Sequence, residues 1–308
     1  MNNFTKAQII CKFLPPIISQ YVRNKIFTFK EGEVLSINFR KKAITGSQFI
    51  GNTNDFHALK FGVHGYFDWR NVILVNEILK SYKGTIVEVG ANIGTETICF
   101  ADIAKKQQVD VIAFEPVPAN YDAVCVIKKE NNLNELAIIN KLVSHEIGYS
   151  FFKMPDGNES GSGFITNPIS KEGFQEFEVT TLNFELLDKK NSAVFAIDVE
   201  GFEFNVLLGS IDIIKKDRPF LILEVNENYL VKRGNTTIKE LDAFLGELEY
   251  KPFYIDKLGL KEVDISNFKV KSNKNWICIP KEKMAIKDKL SSSIFYNALN
   301  PFINYRIL

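Results

Sequence analysis

The chain has 308 residues, enough for one large α/β domain with additions or two modest domains, and its 45% hydrophobic, 24% charged and 12% aromatic content with only 18 Gly and 10 Pro excludes a disordered or fibrous chain. Lys plus Arg at 38 against Asp plus Glu at 37 leaves a net charge of +1. That balance lacks the basic excess behind non-specific nucleic-acid affinity, so nucleic acid is not an expected partner. Cys11, Cys99, Cys125 and Cys278 are far apart and make no metal-ligand spacing. No zinc site or disulfide framework is therefore expected, and a reducing cytoplasm fits. No apolar run approaches the roughly 18 residues of a transmembrane helix. Lys6 and Lys12 within the first apolar stretch, followed by Pro15 and Pro16, make a poor secretory signal, so the protein is expected to be retained in the cytoplasm.

Three zones follow from periodicity and breakers, with no internal repeat. Residues 1–83 read as an N-terminal extension or cap: an amphipathic start, a hairpin over 26–39 around Glu31-Gly32-Glu33, and a helix capped by Asp68 with Trp69, Val72, Val75 and Leu79 on one face. Residues 84–280 alternate apolar runs with helical patterns, which implies βαβ units and a parallel sheet. Strands are predicted at 85–89, 109–114, 136–140, 194–197, 220–225, 253–255 and 276–279, and helices near 95–105, 118–131, 203–215 and 238–249. The strands are continuously apolar, as expected when helices cover both faces. The Gly-, Ser- and Asn-rich stretch 154–173 is too long and polar for a routine connection and is a candidate lid. Residues 281–308 form an amphipathic tail.

Between Gly84 and Gly94 the sequence reads as a strand ending in a glycine turn that opens a helix, the setting of a nucleotide-type loop. Its spacing is Glu88-x-Gly90-x-Asn92-x-Gly94, without the second glycine of the dinucleotide fingerprint that lets backbone amides approach a pyrophosphate. That disfavours a nicotinamide-dependent oxidoreductase. A ligand without phosphates, such as S-adenosylmethionine, suits the loop better. Gly90 and Gly94 keep the backbone low, Asn92 offers a polar contact, and an acidic side chain can receive the ligand's ammonium. Glu115, ending the second strand, can accept both ribose hydroxyl hydrogens.

The strings EVGANIGTET, AFEPVPAN, GSG at 161–163, VTTLNF at 179–184 and IDVEGFE at 197–203, in this order and spacing, resemble the successive motifs of the FkbM family of S-adenosylmethionine-dependent methyltransferases over about residues 84–230. The resemblance implies an α/β, class I methyltransferase (Rossmann-like) fold with a mostly parallel seven-stranded sheet. It implies methylation of hydroxyls of sugars or of glycosylated and polyketide-like products, hence a role such as polysaccharide biosynthesis. The implied cofactor residues are Glu88, Gly90, Asn92, Gly94, Glu115 and Asn120, with Ser144 carried over from the segment after the third strand. Glu88 and Asn183 stand where Asp is commoner in the family, and Ala196 where a Lys usually precedes Ile-Asp-Val-Glu-Gly. The last departure leaves a catalytically idle, cofactor-binding interaction protein as the alternative to an active enzyme.

Ligands of doubly wound sheets lie over the carboxyl ends of the strands. Asp198, Glu200 and Glu224 end central strands and are the candidate catalytic residues: a carboxylate can take the proton from an attacking hydroxyl, hold the acceptor, or with its neighbours hold a divalent cation through oxygen, while Glu200 could instead cap the following helix. His64, in a glycine-flanked segment, is a further candidate base, and Tyr66, Phe67 and Trp69 either form a sugar platform or pack onto the next helix. His57 and His145 read as structural. The apolar and basic residues of 4–25 and 294–308, Arg306 and Leu308 among them, either pack together as a lid or make weak peripheral contact with the inner membrane face.

Overall fold

The computed structural model describes residues 1–154, 160–165, 174–265 and 274–304. The chain opens with α1 (Asn3–Cys11), α2 (Pro16–Ile26) and α3 (Phe29–Leu35), then a two-stranded ribbon of β1 (Asn38–Lys42) and β2 (Gln48–Asn52), then α4 (Phe56–His64) and α5 (Trp69–Ser81). The hairpin expected over 26–39 is thus a helix, and the true hairpin lies one element later. Thr28 explains the difference: its side chain accepts from the Glu31 amide at 3.2 Å and starts a helix. Gly32 then sits mid-helix against Leu59 and the Thr53 carbonyl, a close approach that only glycine permits, so it marks packing and no turn. Asp55 caps α4 by accepting from the Ala58 amide, and Asp68 caps α5 as expected.

The core follows as β3 (Thr85–Val89), α6 (Thr97–Gln107), β4 (Val111–Phe114), α7 (Pro118–Asn131) and β5 (Leu136–Ile139), and then a small sheet of β6 (Leu142–Val143), β7 (Gly148–Lys153), β8 (Phe164–Ile165) and β9 (Phe174–Thr180). Next come α8 (Leu182–Leu186), β10 (Ser192–Ile197), α9 (Glu203–Leu208), α10 (Ile211–Asp217), β11 (Phe220–Val225), α11 (Glu227–Lys232), α12 (Ile238–Glu247), β12 (Tyr250–Asp256), β13 (Gly259–Glu262) and β14 (Lys274–Pro280). A 3-10 turn (Lys281–Ile286), α13 (Lys287–Leu299) and a second 3-10 turn (Pro301–Asn304) complete the described chain. The helix expected over 203–215 breaks at Gly209-Ser210, where the Ser144 carbonyl packs so closely that a Cβ at Gly209 would collide with it. Of the stretch expected to form a lid, residues 155–159 and 166–173 lie outside the described residues, as do Arg306 and Leu308 of the tail.

The main sheet has eight strands in the order β13-β12-β14-β11-β10-β3-β4-β5. β11, β10, β3, β4 and β5 are parallel, and β14 enters antiparallel between β11 and β12. The seven expected strands are all present, and β13, which the sequence reading passed over, is added at the edge beside β12. Every residue of β3 and β10 is buried, consistent with helices on both faces. On one face a single apolar cluster joins Trp69 and Leu74 of α5, Phe100 of α6 and Leu290 of α13, so both chain ends share the core of the sheet.

Candidate active site

The site is built where β3 and β10 end side by side. The Asp198 amide donates to the Val89 carbonyl at 3.0 Å, extending the ladder one step past the strand. Gly90 has φ +90°, and a Cβ there would collide with the Asp198 carbonyl, so glycine is demanded by the approach of two backbones. Gly94, at φ +84°, faces Val124 and Ile127 of α7 and lets that helix come close. Between them Asn92 adopts a left-handed φ of +51° and turns its amide to Glu115 Oε2 at 2.7 Å. Glu115 Oε1 accepts from the Val117 amide at 2.9 Å and from Asn120 Nδ2 at 3.4 Å. Burial pushes the Glu115 carboxyl up to about 7, although these donors favour its charge. A carboxylate carries about four lone-pair sites, so capacity to accept from a diol remains.

A two-lobed cleft opens over these strand ends. The narrow lobe, about 80 Å³, is walled by Glu115, Val117, Leu142, Val143, Phe152 and Ile165. The wide lobe, about 530 Å³, is reached by Lys60, Arg70, Glu88, Glu96, Ala196 and Glu224. Val89, Gly90, Asn92, His57, Gly161, Asp198 and Glu200 line both, so they form the neck. An apolar slot beside a buried carboxylate fits an adenosine group. Glu88 fits the amino end: it is buried, its Oε2 makes no hydrogen bond, and burial raises its carboxyl to about 8 despite Thr97 beside it.

The three catalytic candidates come together. The carboxyl oxygens of Asp198, Glu200 and Glu224 lie within 4.8 Å of one another, a spacing that a hard divalent cation could also bridge. Asp198 is open to the cleft yet crowded by its walls, and this desolvation, the charges of Glu224 and Glu200, and a hydrogen bond with Glu224 hold its carboxyl well above the usual range. Glu200 has φ +54° and is held by Arg233, whose Nη1 donates to its carbonyl at 3.0 Å and to Oε2 at 3.2 Å. That guanidinium is stacked between Phe164 and Tyr229. Glu224 ends β11, which pairs with β10 and so lies one strand away from β3. The helix cap runs opposite to the expected sense: Glu203 Oε1 accepts from the amides of Val199 and Gly201, both at 3.1 Å, and thereby shapes the loop that carries Glu200.

Asn120 braces the site from behind, donating also to the Ser160 carbonyl at 3.2 Å. Ser144 does not line either lobe; its hydroxyl meets His145 Nδ1 at 3.2 Å and its carbonyl packs on Gly209, while Leu142 and Val143 reach the cleft from that segment. His64 is no cleft base, because it ends α4, is buried, and stacks on Tyr66. Tyr66 and Trp69 are core residues, and Phe67 alone of that aromatic group lines the wide lobe.

Residues from the cap complete the site, and sequence reasoning did not find their roles. His57 stands in the neck; burial lowers it to about 4, so it is neutral, and its Nδ1 makes no hydrogen bond. Lys60, one turn further along α4, lies over the rings of Phe56 at 3.9 Å and Phe67 at 4.5 Å, and burial lowers it to about 8. It brings a cation to the lobe that Ala196 faces. Arg70 is paired with Asp68 and donates to the Ile255 carbonyl at 2.7 Å, and Asn71 donates to Glu96 at 3.1 Å. The sequence reading placed no helix over 56–64, and nothing in the sequence marks the direction in which α4 points its side chains.

The family profile described as methyltransferase FkbM domain matches residues 88–252. The chain belongs to the FkbM methyltransferase family, whose cofactor is S-adenosylmethionine, and its α/β sheet is of the class I methyltransferase kind. Among solved structures it is similar to the methyltransferase FkbM of Methylobacillus flagellatus KT, at 12% identity over 73% of this chain and 65% of that one, with a TM-score of 0.42. It therefore spans a little under two thirds of that relative's length. It is also similar to a precorrin-6y C5,15-methyltransferase of Geobacter metallireducens GS-15, at 12% identity over 68% and 86% of the two chains with a TM-score of 0.35. A third is TrmK of M. capricolum in complex with S-adenosyl-homocysteine, at 12% identity over 68% of each chain with a TM-score of 0.34. No curated protein sequence matches the chain.

Proposed function

We propose that the protein is an S-adenosylmethionine-dependent O-methyltransferase that modifies a hydroxyl of a sugar-containing acceptor, a glycan or a glycosylated metabolite. The observation that carries the reading is the neck between the lobes, where carboxyl groups crowd the passage from a narrow slot, walled by apolar side chains and Glu115, to a much wider cavity. In this reading Glu115 holds the ribose diol, the apolar wall of Val117, Leu142 and Val143 holds the base, and Glu88 faces the ammonium. The bound cofactor supplies an electrophilic methyl on a sulfonium.

Asp198 is the proton acceptor. Its carboxylate would take the proton that the acceptor hydroxyl gives up when its oxygen receives the methyl group the cofactor would supply. Desolvation and the neighbouring charges of Glu224 and Glu200 raise the Asp198 pKa in the free protein, and a cation arriving beside it acts in the opposite direction and favours the carboxylate. Donors and ring surface in the wide lobe support a sugar: Arg70, Asn71 and Asn275 line it, and Phe56, Phe67 and Tyr229, each with one ring face taken by Lys60 or Arg233, add apolar surface. The carboxylates disfavour a phosphate-rich acceptor.

The test is mass spectrometry of glycans and glycosylated metabolites from cells with and without the protein, followed by transfer assays with purified protein on the product that lost a methyl group. A missing O-methyl restored by purified protein is expected. Tight binding of S-adenosylmethionine with no transfer to any glycan would support the idle, cofactor-binding alternative, and transfer to nitrogen or carbon would reject O-methylation.

A further inference from the structure

Surface helices ordinarily turn polar residues outward, and both ends of this chain depart from that. α1 buries Phe4, Ala7 and Cys11 along one stripe, yet its other side exposes Ile9 and Ile10, with Phe13 just beyond. α2 turns Ser19 and Arg23 inward and exposes Ile18 and Tyr21, three residues apart and so on one face. α13 buries Leu290, Ile294 and Ala298 and exposes Phe295, Tyr296 and Leu299, with Phe302 following. These elements are neighbours: α1 packs on α2, and α2 packs on α13 and on the turn at Pro301–Asn304. The ends do pack on each other, as one sequence-based reading expected, but packing leaves these side chains exposed. About half of the large apolar side chains exposed among the described residues sit on this corner, a concentration typical of interaction surfaces.

Charge identifies the partner. Before Glu31 the chain has no acidic residue but has Lys6, Lys12, Arg23, Lys25 and Lys30, and Asp288 is its last acidic residue. The rest of the chain carries 37 acids against 31 bases, so the cation excess is a local feature of the two ends, bounded on the α1 side by Glu31, which accepts from Asn3 at 2.9 Å. We propose that this corner docks on an anionic phospholipid bilayer, with the apolar side chains at the boundary of headgroups and acyl chains and the lysines at the phosphates. A second copy meeting the same face would set Lys6 and Lys25 against like charges, which disfavours self-association. Among the described residues no helix is long and apolar enough to cross a membrane, so attachment is interfacial and reversible. The inference is independent of the acceptor and of methyl transfer.

The experiment is flotation of the full chain with phosphatidylcholine vesicles made with or without phosphatidylglycerol, at low and moderate salt. The protein is expected to float with the anionic vesicles alone and to release as salt rises. Ile10→Asp combined with Phe295→Asp, both at exposed positions, is expected to reduce vesicle binding by roughly 10-fold or more through lost burial and added repulsion, with an unchanged melting temperature. Lys6→Glu with Lys25→Glu should weaken binding and its salt dependence. Absence of flotation at low salt, or undiminished flotation of the Ile10/Phe295 variant, overturns the proposal. Light scattering that finds a dimer abolished by that variant, together with no flotation, assigns the corner to a second copy.

Discussion

The two lobes of the cleft are made by opposite means. In the narrow lobe the Glu115 carboxylate is tied to backbone amides at 2.7 and 2.9 Å, by a turn and a strand end that lie 23 residues apart in the chain or closer. The wide lobe gathers residues from Phe29 to Asn275, and its carboxyl groups are crowded against one another more than they are bonded to the backbone. A site that must hold one invariant ligand can be rigid and local. A site that accepts a substrate and moves a proton is assembled from several segments, and it keeps charged groups whose protonation can change.

The largest expected effect is at Asp198. Asp198→Asn keeps the shape of the neck and removes the base, so turnover should fall by roughly 100-fold to 10,000-fold while cofactor affinity changes little, as measured by single-turnover transfer and calorimetry. Near-parent turnover in this variant would reject Asp198 as base. Turnover lost to a chelator and regained with magnesium would instead assign the three carboxylates to a cation. Glu115→Ala addresses the other lobe and should cost about 1.5 to 3 kcal/mol of cofactor binding with turnover at saturation nearly retained. Equal binding by parent and variant would remove the diol from that lobe. Gly90→Val is a poor probe of binding, since its side chain would meet the Asp198 backbone and disturb the fold itself.

A pH series sharpens the electrostatic half of the contrast. Burial raises Glu88 and Glu203 to about 8 and Glu115 to about 7, from an ordinary value of 4.5. The folded protein therefore holds protons that the unfolded chain has released, so this stability is present below about pH 4.5 and is lost as pH rises toward 8. Thermal melts of the free protein should show a falling midpoint across that window. Glu203→Gln keeps an oxygen that can accept from Val199 and Gly201, removes the charge, and should flatten the fall. A parent whose midpoint is level from pH 5 to pH 8 would contradict it. The smallest expected effect belongs to the cap. Lys60→Met should raise the KM for the acceptor by roughly 3-fold to 10-fold with cofactor affinity unchanged, the scale of one hydrogen bond. A change in cofactor affinity would place Lys60 on the wrong ligand.

Much of the narrow lobe was legible because its signals are short-range. Gly90, Asn92, Gly94 and Glu115 are marked by spacing at one strand end and the next, and Asn120 follows one turn into α7. In the wide lobe the sequence marked Glu88, Ala196, Asp198, Glu200 and Glu224 along the strands, but not Lys60 or Arg233, which other elements bring to it. Glu203 was read as the start of a helix, although its carboxyl sets the loop before it, and His57 was read as structural although it stands in the neck. The failed hairpin has the same root: alternation between Phe27 and Phe39 looked like a strand, but the Thr28 cap and the seat for Gly32 made by Leu59 favoured a helix. Ser144 was carried over by position, and packing of its carbonyl onto Gly209 keeps it from the cleft.

The sequence by itself determined the family, the parallel sheet and the residues at the ends of its strands, because continuous apolar runs, glycine turns and caps act over a few residues and leave local marks. The tertiary structure alone decided that α4 aims His57 and Lys60 into the cleft, that Arg233 holds Glu200, and that α1, α2 and α13 meet at one apolar corner. Those outcomes depend on how separately encoded elements pack, and the contacts that select the packing are spread through a core reaching from Ala43 to Ile303.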